Sequence, residues 1–404
     1  MAKVVKLLMI TENNNNKFYN MHDDENGNFT VEYGRVGNTS QTQSYPISKW
    51  NSKYNSKIKK GYRDITELFI EESDNSSKIV NIENNEVAKL VKMLQGYAKA
   101  TISKNYNISS SKVTRKQIQE AQSTIDKLAS LSTKKYTQQV MDEMNALLLE
   151  LYTIIPRKMS NVKRHLLTIT STISDKIQEE QDLLDTMGGQ VSQNIAQEES
   201  KEESNILDLL GLEISAVDNK DEIHLVLDKL GRLKYKNTSD DISNRFVKLF
   251  KVENKKTREL YDINNGHNGE HLFFHGSRNQ NWWNIIQSGL LIRPSNAVHT
   301  GSMFGDGIYF ASKAKKSFGY TSGRGSYWAG GSDDTCFLAL YDINTGRQKR
   351  IKHHDSSCYR LSLSGLKKEG YDSVYAEGGA DLRNSECIVY SPNQCTIKYL
   401  IQLR

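Results

Sequence analysis

Gly305-Asp306-Gly307-Ile308-Tyr309-Phe310-Ala311, followed by Lys316-Ser317-Phe318-Gly319-Tyr320, is the stretch on which the reading of this 404-residue chain turns. A turn built on two glycines enters a short apolar strand, and a second aromatic and glycine run comes behind it. Alone, this is a β-turn at a strand start, and it lacks the G-x-G-x-x-G spacing that a dinucleotide-binding βαβ unit needs. Two distant segments accompany it. Phe273-Phe274-His275-Gly276-Ser277 is an apolar strand ending in a His-Gly-Ser turn, and Asn384-Ser385-Glu386-Cys387-Ile388-Val389-Tyr390 opens an apolar strand with a glutamate. Each alone reads as ordinary structure, a common turn or a solvated strand end. Their conjunction and order carry the information.

Working outward, short extended segments at 272–275, 307–311, 336–343, 373–376, 386–390 and 396–403 alternate with Gly- and Ser-rich connections. They predict a β-rich C-terminal domain over 205–404. In its last strand Ile397, Tyr399, Ile401 and Leu403 fall at alternate positions, which predicts that all four share one face. Upstream, 84–197 reads as helical. Val87, Leu90, Val91 and Leu94 repeat at helical spacing, as do Met141, Met144, Leu148, Leu151 and Ile155 before Pro156, and Ile173, Ile177, Leu184 and Met187. Thr114-Arg115-Lys116-Gln117 has the form of a capping box opening another helix, with Ile118, Ile125 and Leu128 on it. Such stripes bury only against each other or a neighbouring domain, so an all-α bundle is expected. The charged run 196–204 reads as a surface connection, and the polar run 71–77 as a linker. Residues 1–75 read as strands at 4–10, 17–22, 29–36 and 40–45, with an Asn26-Gly27 hairpin turn and a helix near 49–59.

Composition bounds the function classes. No apolar run approaches the ~20 residues of a membrane-spanning helix, so no membrane association is expected. The opening run Val4-Val5-Lys6-Leu7-Leu8-Met9-Ile10 reads as a strand, not a signal peptide. Cys336, Cys358, Cys387 and Cys395 lack zinc-ligand spacing, so no metal is expected and a reduced, intracellular compartment follows. The net charge of +6 is mild. Its distribution is uneven: from Tyr33 to Arg63 there are seven Lys and Arg residues and no acidic one. That run reads either as a phosphate-neutralising field or as a solvated Lys-rich face.

Together the three opening segments strongly resemble the His-Tyr-Glu signature of the poly(ADP-ribose) polymerase catalytic domain, a diphtheria-toxin-like ADP-ribosyltransferase fold. Gly289-Leu290 and Thr300-Gly301-Ser302-Met303-Phe304-Gly305 are similar to that family's helix end and donor loop. Arg115-Lys116-Gln117-Ile118-Gln119, Leu151-Tyr152-Thr153-Ile154-Ile155-Pro156 and Leu183-Leu184-Asp185 resemble its helical regulatory domain. Tyr33-Gly34-Arg35-Val36-Gly37 with Lys60-Gly61-Tyr62 resembles its small WGR domain, with Tyr33 where the motif has Trp. The resemblance covers nearly the whole chain. It implies a multidomain α+β protein with a small β-rich WGR-like nucleic-acid-sensing domain at 1–75, an all-α helical regulatory bundle at 84–197 and an antiparallel-β ADP-ribosyltransferase domain at 205–404.

The resemblance also implies chemistry. NAD+ is the expected substrate. His275 and Asn281 would hold a ribose hydroxyl of the adenosine half. Gly276 would let a carboxamide exchange hydrogen bonds with its backbone, Ser277 and Ser317 would add hydroxyl donors, and Lys316 belongs to the same binding set. Tyr309 and Tyr320 would enclose the nicotinamide ring, with Tyr320 stacking parallel. Glu386 would stabilise the oxocarbenium-like charge and polarise the acceptor. Tyr33, Arg35 and Lys60 would contact DNA ends or nicks, and the helical bundle would hinder NAD+ entry until loosened. Acceptors would be proteins, the chain itself included, with room for an auxiliary protein at the acceptor site. Localisation would be nuclear in a eukaryote and cytoplasmic or nucleoid otherwise. Two alternatives stay open: a mono-ADP-ribosyltransferase, and a DNA-end-binding scaffold without activity. Ile108-Ser109-Ser110-Ser111-Lys112-Val113 lacks the family's Pro-Leu-Gly, and Leu291 stands where relatives often carry Arg, with Arg293 nearby.

Overall fold

A computed structural model describes residues 3–36, 38–69, 81–135, 137–168, 173–200, 204–264, 270–292 and 303–404. The chain divides into two compact units, Met1–Asn75 with Ala100–Val191, and Ser76–Lys99 with Ser192–Arg404. The 71–77 linker, the donor-loop residues Thr300, Gly301 and Ser302, Arg293, Gly37, and 201–203 of the charged connection lie outside the described residues.

The first unit opens with β1 (Val4–Thr11), β2 (Asn15–Asp23), β3 (Asn28–Arg35), β4 (Gln41–Pro46), α1 (Trp50–Lys59) and the two-residue β5 (Arg63–Asp64). They form an antiparallel sheet in the order β4-β3-β2-β1-β5. Alternation sorts its side chains. Val5, Leu7, Tyr19, Met21, Phe29 and Val31 pack with Trp50 of α1, whereas Leu8 joins Val36 and Ile65 in a separate cluster. In the β2–β3 turn the positive φ falls on Glu25 (55°) and Gly27 (87°), not on Asn26 as the Asn-Gly reading implied.

The helices α2 (Asn85–Asn105), α3 (Arg115–Ser132), α4 (Gln138–Ile154) and α5 (Ile173–Glu199) follow. The expected capping box is formed: the Thr114 side chain accepts from Gln117 N, and the Gln117 side chain accepts from Thr114 N. α4 ends before Pro156, whose ring disfavours the helical region for its predecessor, and Ile155 is extended (φ -126°, ψ 102°). Inside this unit Glu180 is buried against Arg157 (3.3 Å) and Lys176 (2.7 Å), with the Tyr152 hydroxyl 3.0 Å away. Such a carboxylate tolerates burial because its charge is matched and its lone pairs are used. A second polar cluster joins sheet to helices. Buried Asn16 donates to Met159 O (3.0 Å), and Val162 N donates to Asn14 Oδ1 (2.9 Å). α5 extends to Glu199, so the run read as surface connection begins as helix.

α2 and α5 each contribute residues to both units. The reason in α2 is its stripe: Val87, Leu90, Val91, Leu94 and Ala98 share one apolar cluster with Trp282, Trp283 and Ile286 of the second unit. The helical stretch 84–197 is therefore shared between two cores.

The second unit contains α6 (Ile206–Leu209), β6 (Leu212–Ala216), α7 (Lys220–Lys229), β7 (Phe246–Asn254), α8 (Lys255–Asn264), β8 (Glu270–Gly276), α9 (Trp282–Ser288), β9 (Ile308–Phe310) and α10 (Ala314–Phe318). It continues through β10 (Cys336–Asn344), β11 (Gln348–Ile351), α11 (Leu363–Lys368), β12 (Ser373–Ala376), β13 (Glu386–Val389) and β14 (Cys395–Leu403). Two sheets result, β6-β7-β14-β10-β8 and β11-β12-β13-β9. All pairings are antiparallel except β11 with β12. The single-face reading of β14 fails. The pairing with β10 shifts register at Leu340/Tyr341, where Leu340 faces Tyr399 and Tyr341 faces Ile397. The extra residue, Lys398, flips the alternation, so Ile397 packs with Leu400 while Tyr399, Ile401 and Leu403 enter a different cluster. No helix among the described residues is long and apolar enough to cross a membrane.

Candidate active site

The two sheets of the second unit meet at one backbone joint. Phe274 N donates to Ala311 O (2.8 Å) and Ala311 N to Phe274 O (3.0 Å), joining the edge strands β8 and β9. The residue after Phe274 is His275, Tyr309 lies two before Ala311, and β9 pairs with β13, whose first residue is Glu386. Three segments far apart in sequence are thus adjacent in space.

The His275 ring meets Trp282, Phe310 and Tyr341 edge-on. Burial lowers its pKa to about 4, and the hydrogen bond to the Tyr309 carbonyl opposes that shift. The imidazole is therefore neutral. Its Nδ1 lies 3.1 Å from Tyr309 O. A carbonyl can only accept, so Nδ1 carries the proton and Nε2 is left as an acceptor, suited to a hydroxyl.

Tyr309 presents its ring but not its hydroxyl. The phenol donates to Gly305 O (2.8 Å) and accepts from Phe304 N (3.0 Å), closing the turn before β9. Burial raises its pKa, as does the charge of Glu386.

Gly276 is needed first by the protein itself. A Cβ there would stand 1.9 Å from Ser317 O, so α10 could not approach β8. Ser317 returns the contact, its hydroxyl donating to Phe274 O (3.0 Å). In this arrangement Ser317 offers the site a lone pair, not the donor expected of it. Ser277 Oγ accepts from Asn281 Nδ2 (3.1 Å), and Asn281 Oδ1 is buried with no partner among the described residues. A buried orphan acceptor needs a donor, and a ribose hydroxyl can provide one.

Glu386 is buried at the head of β13, and Lys316 on α10 pairs with it, Nζ to Oε1 at 2.5 Å. Lys316 also reaches Asn384 O (3.3 Å). The sequence placed Lys316 in the binding set without a task, since no pattern ties a lysine to a glutamate 70 positions away; the fold shows it as the counter-ion of the carboxylate. Tyr320 is half-exposed, and burial together with the charge of Glu386 raises its pKa to about 12. His275, Gly276, Ser277, Asn281, Tyr309, Lys316, Ser317, Tyr320 and Glu386 therefore fall in one unit, around the β8–β9 joint and the adjoining α10. A residue the sequence did not single out, buried Asn279, anchors the neighbouring loop through Asp333 Oδ2 (2.9 Å) and Thr335 O (2.8 Å).

The candidate nucleic-acid contacts sit on the first unit. Tyr33 tilts against Tyr19, ring centroids 6.0 Å apart. Lys60 is exposed. Lys53 and Lys57 lie over the rings of Tyr45 (3.9 Å) and Tyr19 (4.0 Å), and burial with the charges of Lys60, Lys53 and Lys17 lowers the pKa of Lys57. Arg35 donates from its guanidinium to Asn14 O and Oδ1 (both 2.7 Å) and to Ser160 O (2.8 Å).

Comparison with known proteins agrees with this geometry. The family described as "Poly(ADP-ribose) polymerase catalytic domain" matches residues 220–404. A protein of Invertebrate iridescent virus 6 named "Putative poly [ADP-ribose] polymerase-like 100L" is 30% identical over 188 residues, 45% of this chain and 93% of that protein. "Uncharacterized protein 101L" of the same virus is 36% identical over 192 residues, 48% of this chain and 79% of that one. "Poly [ADP-ribose] polymerase 2" of Homo sapiens is 24% identical over 464 residues, 97% of this chain and 77% of the human protein. With the glutamate, histidine and tyrosine gathered at a single joint between two sheets, the chain belongs to the poly(ADP-ribose) polymerase family and is an ADP-ribosyltransferase that uses NAD+.

Proposed function

We propose that the chain transfers ADP-ribose from NAD+ to protein side chains, its own included, and then extends the product into a polymer under stimulation by DNA breaks. The observation that carries the catalytic part is the buried Lys316–Glu386 pair beside the β8–β9 joint.

In the proposed reaction His275 Nε2 and Asn281 Oδ1 accept from hydroxyls of the adenosine ribose. The Gly276 backbone takes the carboxamide, and the rings of Tyr309 and Tyr320 enclose the nicotinamide. Cleavage of the bond between ribose C1′ and the pyridinium nitrogen leaves both electrons on nitrogen, so nicotinamide departs neutral and positive charge develops on the sugar. Lys316 orients Glu386, so its carboxylate stabilises that charge without reorganising as it forms. The acceptor oxygen then bonds to C1′ and its proton passes toward Glu386 or solvent. An acceptor hydroxyl of a previously attached ADP-ribose can stand in the same place, which makes elongation the same chemistry repeated.

The sensing part rests on the first unit. Tyr33, Lys60 and the lysines over the Tyr19 and Tyr45 rings form a basic, aromatic surface of the kind that stacks bases and neutralises phosphates. Arg35 acts in this reading as a clasp between that sheet and the 159–162 segment, so that a load on the sheet reaches the helices. The proposed compartment is the one that holds the DNA, nuclear in a eukaryote. The test is nicotinamide release and automodification from labelled NAD+, with and without nicked duplex. A ladder that intensifies with nicked DNA is the expected outcome. A single sharp shift means one-unit transfer, equal rates with and without DNA remove the sensor, and no nicotinamide leaves a scaffold.

A further inference from the structure

Trp328 is an exposed indole held in one place. Of the chain's four tryptophans, Trp50, Trp282 and Trp283 are buried, while Trp328 is 64% exposed and its neighbour Tyr327 81%. Two large aromatic rings left in water forgo burial that would stabilise the fold. The segment carrying them is nevertheless well tied. Trp328 N and Ala329 N both donate to Gly319 O (2.9 Å each), Asp333 N donates to Ser322 O and Arg324 N to Asp333 O (2.9 Å each). Asn279 N reaches Ser322 Oγ (2.9 Å), fastening the segment to the turn after β8. The indole rests on Gly319, where a Cβ would stand 2.9 Å from Trp328 Cδ1. Since φ at Gly319 is -57°, this glycine makes room and serves no unusual backbone conformation.

The ring held this way lies nearly parallel to Tyr320, with centroids 6.2 Å apart and planes at 18°. Tyr327 braces it from the side, edge-on at 4.8 Å and 88°. Offset stacking engages one face of Tyr320, which stays 40% exposed. That ring borders the reacting centre: Tyr320 N donates to Ser317 O (3.1 Å) at the end of the helix whose Lys316 holds Glu386.

We infer that Trp328 is a positioning residue for the donor: braced by Tyr327, it fixes the plane of Tyr320 so that the nicotinamide ring stacks as the next layer of one aromatic array. The inference rests on the reading of Tyr320 as the nicotinamide-stacking wall. The pyridinium of NAD+ is cationic and the departing nicotinamide is neutral, so an array of electron-rich rings favours the donor over the product. The signature is therefore a KM effect with little change in kcat.

The experiment measures kcat and KM for NAD+ in the full-length chain and in Trp328→Ala, Trp328→Phe and Tyr320→Ala. Trp328→Ala is expected to raise KM about 3- to 10-fold with kcat within about 2-fold, the range that an aromatic pair contributes. Trp328→Phe, which keeps a stacking ring, is expected to return KM to within about 2-fold of the parent. Because its indole is the exposed one, Trp328 should also give a change in emission on titration with NAD+ that disappears in Trp328→Phe. A wild-type KM in Trp328→Ala alongside a raised KM in Tyr320→Ala overturns the inference and leaves the stacking wall intact. So does a Phe variant as impaired as the Ala variant. An unchanged KM in Tyr320→Ala instead removes the wall itself, and this inference with it.

Discussion

Glu180 in the first unit and Glu386 in the second are both buried carboxylates held by cations, at 2% and 8% exposure, yet their surroundings differ in a way that separates structure from chemistry. Around Glu180, Arg157 and Lys176 take both oxygens, and the Tyr152 hydroxyl adds a third contact. Burial pushes the Glu180 carboxyl up, but these partners together hold its pKa below the usual value. Nothing further can bind there. Glu386 has one oxygen on Lys316, and its second oxygen accepts from none of the described residues. A carboxylate matched on every side contributes to a unique packing. One matched on a single side keeps a lone pair for a ligand.

The sharpest way to break this contrast is to remove a cation from the saturated pair. Arg157→Ala leaves Glu180 buried with too little compensation and is expected to lower stability by about 3–5 kcal/mol, read by urea denaturation. A loss under about 1 kcal/mol would place Glu180 in the same class as Glu386.

Next in size is the open carboxylate. Glu386→Gln keeps shape and removes charge, so nicotinamide release is expected to fall on the order of 100-fold, about 3 kcal/mol, with the melting temperature nearly unchanged. Elongation should suffer more than release, seen as loss of the ladder before loss of nicotinamide. An unaltered rate would show that the carboxylate is only structural.

pH separates the units again. The folded pKa of His275, about 4, lies below the 6.5 of an exposed imidazole, so the unfolded chain takes up the proton first. Stability is fully present above pH 6.5 and is lost as pH falls toward 4, by up to about 3 kcal/mol. Melting temperatures across that window, compared with His275→Gln, should show the wild type declining more steeply. Glu180, with its folded pKa lowered, adds its own loss only below pH 4.5.

The smallest effect is expected from Lys316→Met. Glu386 keeps a free oxygen for water, so the stability cost is about 1–2 kcal/mol, well short of that of Arg157→Ala. Activity should still drop, because the carboxylate loses its orientation. Equal destabilisation by the two substitutions would erase the distinction between the sites.

The strands of both units, the capping box at Thr114 and the stripes of α3 and α4 were legible because alternation, helical spacing and caps are properties of neighbouring residues. His275, Tyr309 and Glu386 could be read only as a pattern of types in order, and the fold brings their segments together. What could not be read locally depended on partners far along the chain. Lys398 looks like any polar residue of an alternating strand until its pairing with β10 makes it a bulge. Arg35 reads as a lone cation in a basic run, and only the fold shows its bonds to Asn14 and Ser160. The stripe of α2 looks like bundle core until Trp282 and Trp283 share its cluster.

By itself the sequence determined which residues are strand, helix or turn and which side chains have chemistry to offer, since covalent neighbours and periodicity decide those. Only the tertiary structure decided which oxygen of Glu386 stays open, why Gly276 has no room for a Cβ, and which ring stands behind Tyr320. Those depend on distances between segments that no local pattern encodes.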